Sequence, residues 1–177
     1  MSRLCLLLLS SLITFNVHAK TPSKMVVLSC LAAHAMSPSV KWRPIATDKI
    51  YSEEDYKDGF DATYYVISDG KQVGYAERGK EKAIIYGDLI FPVAQARMLP
   101  GSNVRPTALN PFSADWAIVY EKSGSYLCVS FPFGDLGRSG SFQRYRSAYL
   151  IAVDYGSGRP ILYAVTGPIS NTETSGK

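Results

Sequence analysis

Ala62-Thr63-Tyr64-Tyr65-Val66-Ile67-Ser68, then Asp69-Gly70, then a return from Lys71 to Ala76: this stretch decides the fold. Its β-branched and aromatic residues suit a pleated, half-buried surface. The Asp-Gly pair tolerates positive φ at both positions, which makes it a strong hairpin signal. Reading outward, Arg78-Gly79-Lys80 forms the next turn and Lys82 to Tyr86 the next strand. Leu89 to Met98 reads as a strand followed by a short helix, with Pro92 near its start. Trp116 to Glu121 and Tyr126 to Phe131 make a second hairpin around Ser123-Gly124. Tyr149 to Tyr155 and Ile161 to Thr166 make a third around Gly156-Ser157-Gly158. The expected fold is mainly β with minor α. Its antiparallel, hairpin-linked strands form a barrel, a sandwich or a strongly bent sheet, with one or two short helices at an edge or open end.

The flanking segments are less regular. Ser23 can cap a helix running from Lys24 to about Met36 and stopped by Pro38, although Val26-Val27-Leu28 also fits a strand. Trp42 to Asp61 is polar and acidic and reads as loop, with room for one helical turn at Ser52 to Lys57. Pro100 to Pro111 reads as a long ordered loop.

Met1 to Ala19 reads as an export signal. Arg3 is followed by an apolar run from Cys5 to Phe15, and Val17-His18-Ala19 supplies a cleavage site. The run is too short for a membrane span, which needs about 20 apolar residues. The expected organisation is a signal over 1–19, one β-rich domain over 20–168 and a flexible tail over 169–177. Two other processing routes stay open: cleavage after Ala35, or lipid attachment at Cys30 within Val27-Leu28-Ser29-Cys30. The expected location is the periplasm or the exterior, with no membrane span once the signal is gone.

Cysteine use follows from the cut. Of three cysteines, Cys5 leaves with the signal, so Cys30 and Cys128 remain and are expected to form a disulfide in an oxidising compartment. A hydrophobic content of 46 % and a charged content of 19 % suit a folded chain. The net charge of +4 is too mild to imply nucleic acid.

Chemistry is mostly excluded. The two histidines are His18, in the signal, and His34, too few for a zinc site or a nucleophile–imidazole pair, so neither metal nor cofactor is expected. Asp55, Asp58 and Asp61 do not follow calcium-loop spacing. Gly74 to Lys80 fits a phosphate-loop pattern, but Glu81 stands where magnesium binding needs a hydroxyl, so a hairpin turn is expected. Gly137-Arg138-Ser139-Gly140-Ser141 lacks the final glycine of a nucleophile elbow.

The most unusual local sequence is Phe131 to Phe142, FPFGDLGRSGSF. A loop this rich in glycine can approach a partner's backbone, while Asp135 and Arg138 supply charge. Arg144 and Arg146 would share one strand face. Asp135, Arg138, Ser139, Arg144 and Arg146 are therefore the expected partner-binding residues, and no catalytic residue is assigned. The expected function is an exported, non-catalytic binding protein, an inhibitor or immunity-type factor that blocks another exported or envelope protein. Two alternatives remain. One is a small envelope hydrolase with a carboxylate pair drawn from Glu53, Glu54, Asp115 or Asp135. The other is a carrier for a small ligand or lipid.

Overall fold

Alternation of side chains decides which faces meet. A computed structural model describes residues 21–46, 49–102, 104–106, 109, 111–133, 145–155 and 159–169. One helix, α1 (Lys24–Ala32), precedes β1 (Lys41–Pro44), β2 (Tyr51–Lys57), β3 (Phe60–Val66), β4 (Gln72–Arg78), β5 (Glu81–Tyr86) and β6 (Leu89–Pro92). After a 3-10 turn, Val93–Gln95, come β7 (Arg97–Met98), a second 3-10 turn (Pro111–Ser113), β8 (Asp115–Glu121), β9 (Gly124–Pro132), β10 (Tyr145–Ala152) and β11 (Leu162–Pro168). The strands form a six-stranded sheet in the order β1-β8-β9-β10-β11-β7 and a five-stranded meander, β2-β3-β4-β5-β6. Pairing is antiparallel throughout except β11 with β7. The sheets do not close into a barrel. The mainly β expectation is met in its sandwich or bent-sheet form.

The six-stranded sheet is buried on both sides. Leu127, Val129, Phe131, Tyr149 and Ile151 face the meander and pack with its Val73, Ile84, Tyr86 and Phe91. The alternate residues Tyr126, Cys128, Ala148 and Leu150 face α1 and pack with Val26, Cys30 and Leu31. Three layers result: helix, six-stranded sheet, meander. Their order explains why β9 and β10 read as nearly continuous apolar runs.

The meander carries a small core of its own on the side away from the large sheet. Phe60, Ala62, Tyr64, Ala76, Ala83, Ile85 and Ile90 form it, and all come from this sheet. The sheet must curl over them, and Gly74 lets it. A Cβ at Gly74 would overlap the Thr63 carbonyl oxygen and lie 2.7 Å from Tyr64 Cβ, across the Tyr64↔Gly74 pair.

The helix is shorter than expected. Ser23 caps it, its Oγ accepting from the Val26 N–H at 3.2 Å. It ends at Ala32 rather than near Met36, because Ala33 turns left-handed (φ 56°). The Ala33 N–H then donates to the Cys30 carbonyl and the His34 N–H to that of Ser29, which satisfies the last turn four residues before Pro38. The Cys30–Cys128 disulfide is present and fastens this helix to β9.

Residues 42–61 correct the loop expectation. They contribute β1 and β2, both sheet edges, and Ser52 to Lys57 is extended rather than helical. The Gly74 to Lys80 pattern is strand β4 and the turn after it, as expected.

Candidate functional site

The meander's inner face outruns the sheet that covers it. On β3 and β4 the inward positions change from Val73, in the core, to Tyr65 and Tyr75, packed against it, then to Thr63, Asp61 and Glu77. The uncovered end opens a groove of about 790 Å³ beside the two edge strands β1 and β2. Its floor holds Tyr65, Tyr75 and Trp116, and its rim holds Trp42, Ile50 and Phe112. Phe112 is 89 % exposed and Ile50 59 %. The 3-10 turn Pro111–Ser113 holds the Phe112 ring edge-on to Tyr75, with centroids 5.9 Å apart. Large apolar side chains left in solvent, as Phe112 and Ile50 are, are costly for the free protein and are typical of a surface that meets something.

The groove runs into an acidic hollow. Ser52, Thr63 and Tyr75 border both, and Glu53, Glu54, Asp61 and Glu77 complete the second. β2 brings its acids here by bulging. Its register with β3 shifts between Glu53 and Lys57, and Asp55 sits left-handed at φ 49°. The Asp61 carboxylate accepts the Asp55 N–H at 3.2 Å and fixes the bulge. Glu53 accepts the Tyr64 hydroxyl, a bond that, with burial, pushes that hydroxyl's pKa up to about 12. Lys82 pairs with Glu77 at 3.2 Å. Among the described residues no group of three metal-ligating side chains converges.

Of the residues singled out in the sequence, Asp135, Arg138, Ser139 and Arg144 lie outside the described residues. Arg146 lies on β10, where its guanidinium crosses β9 to pair with Asp115. Its Nε also donates to Ser130 Oγ at 3.0 Å. Asp115 is a wall residue of the groove, so Arg146 positions that wall. Phe133 and Tyr145, the described residues that flank positions 134–144, are joined by a bond from the Phe133 N–H to the Tyr145 carbonyl at 3.1 Å. Of the candidate acids for hydrolysis, Glu53 and Glu54 line the hollow and Asp115 the groove, whereas Asp135 lies outside the described residues.

The aromatic groove itself was not foreseen. Trp42, Tyr65, Tyr75, Phe112 and Trp116 are spread along the sequence, and only the pairing of β1 with β8 and of β3 with β4 assembles them. A faint signal existed in Phe112, just past the loop expected over Pro100 to Pro111: a large apolar residue between Pro111 and Ser113 has no strand to bury it.

A second cleft of about 460 Å³ opens between the sheets on the other side of Pro44 and Ile45. Asp69 and Lys71 face each other across its mouth at 2.7 Å, and Lys71 stands 5.7 Å over the Tyr86 ring. Arg43 lines it as well. Comparison with models of known protein families, with curated proteins and with solved structures finds no match to this chain.

Proposed function

We propose that this chain is an exported, non-catalytic binding protein of the inhibitor or immunity type, which holds and blocks another exported or envelope protein. The observation that supports it is the exposed Phe112 ring, poised over Tyr75 at the rim of an open aromatic groove. The disulfide suits an oxidising compartment. No helix among the described residues is long and apolar enough to cross a membrane.

The test compares wild type with Phe112→Ala, each purified from the producing cell. Wild type recovers one partner in stoichiometric amount, and Phe112→Ala loses it. Because the ring is exposed, Phe112→Ala keeps its stability within about 0.5 kcal/mol. A partner retained by Phe112→Ala, or no stoichiometric partner at all, overturns the reading. Asp135→Ala and Arg138→Ala separate the contribution of the glycine-rich loop. Carboxylates beside aromatic rings also suit a glycan hydrolase. Turnover of cell-wall glycan that Glu54→Gln or Asp61→Asn abolishes would replace binding with catalysis.

A further inference from the structure

Resting on the groove reading, we infer that the part of the partner entering this site is an extended segment in which a run of large apolar or aromatic residues adjoins a run of lysine or arginine. Charge carries the argument. The chain as a whole is basic, at net +4, yet Glu54, Asp61 and Glu77 gather in the hollow that continues the groove. Of these three acids, only Glu77 has a cation at ion-pair distance among the described residues, Lys82. Asp61 accepts from the Asp55 amide, which is neutral and leaves its charge in place, while Glu53 turns to Tyr64 on the opposite face of the sheet. A wholly apolar segment would strip water from these acids without replacing it, and an acidic one would be repelled. Lysine or arginine satisfies them and also rests well against the faces of the adjoining rings. Elsewhere the basic surface disfavours the same segment, so binding concentrates here.

The edges settle how such a segment is read. Strand addition needs a free, regular row of backbone groups. On β1 Pro44 lacks an N–H, and on β2 the bulge at Asp55 breaks the row. Side chains, not a shared ladder, therefore make the contacts.

The chain's two tryptophans, Trp42 and Trp116, both line the groove, so intrinsic emission reports its occupancy. The probe is a hexapeptide of three phenylalanines followed by three lysines. Its comparators carry glutamate for lysine, or glycine for phenylalanine. The lysine–phenylalanine peptide is expected to bind saturably, about tenfold or more tightly than either comparator, and to weaken as salt rises. The triple change Glu54→Gln, Asp61→Asn, Glu77→Gln is expected to weaken it by about tenfold. Glu54→Gln alone, at an exposed position, serves if the triple variant does not fold. Equal binding of the glutamate peptide, unchanged affinity in the charge variants, or no saturable binding overturns the inference. The natural partner separates the two levels. Capture lost in Phe112→Ala but kept in the charge variants removes this inference and leaves the groove reading standing. Capture that survives Phe112→Ala removes the groove reading itself.

Discussion

Gly74 is the residue at which the meander's shape is decided. The backbone of Thr63 and Tyr64 occupies the space a Cβ would need. Backbone cannot step aside as a side-chain tip can, so Gly74→Ala must open the β3–β4 pair. We expect a loss of about 1–3 kcal/mol, the usual scale of overpacking, read from the urea midpoint. Tyrosine hydroxyls make a second residue-scale prediction. Tyr64, through its bond to Glu53, and Tyr126 and Tyr149, chiefly through burial, are each raised from 10.0 to about 12. The unfolded chain therefore loses these protons first as pH rises. Stability is full below pH 10 and declines between 10 and 12. Urea midpoints at rising alkaline pH check this, and Tyr64→Phe should flatten part of the slope. At this scale the sequence was legible where counting sufficed: with Cys5 assigned to the signal, Cys30 had only Cys128 to pair with. It was not legible for Tyr65, Tyr75 and Trp116, because the same residue types also build the core.

Elements with a buried face announced themselves, and those without one did not. β9 is apolar along its length because helix and meander cover both of its sides, and its hairpin with β8 was readable from the sequence. Every position of β2 except Tyr56 is exposed, so nothing forces alternation, and its Glu53-Glu54-Asp55 run resembles a loop. It is a strand because β3 offers a ladder, and its acids and bulge keep further strands away. Helix α1 is the converse case. At nine residues it is too short to persist alone. Packing and the disulfide hold it, and the bridge closes a sequence separation of 98 residues. Replacing both cysteines, Cys30→Ser with Cys128→Ser, should cost on the order of 4–5 kcal/mol in the chain-entropy model. Thermal melting measures the loss. Hydrogen exchange should show α1 losing protection before the strands do.

At the scale of the molecule, the two sheets differ in how their strands are recruited. The meander takes five consecutive strands, each paired with its neighbours in the chain. The six-stranded sheet sets β1 beside β8 and β7 beside β11, bridging most of the described chain. The groove lies where these two modes of assembly meet, between edges β1 and β2 that are close in sequence but belong to different sheets. The groove therefore sits at the seam, which no local pattern marks. The same arrangement sets an order of events. Local ladders close quickly and distant ones slowly, because loop-closure entropy must be met first. Cys128 comes within reach of Cys30 only after β8, β9 and β10 give the helix a surface to dock on. Oxidation is thus expected late, with the bridge recording completed assembly instead of guiding it. In refolding from the reduced chain, amides of β3 to β5 should become protected while both thiols still react with an alkylating agent. Thiols that become unreactive first would reverse this order and make the crosslink the template on which the sheets are built.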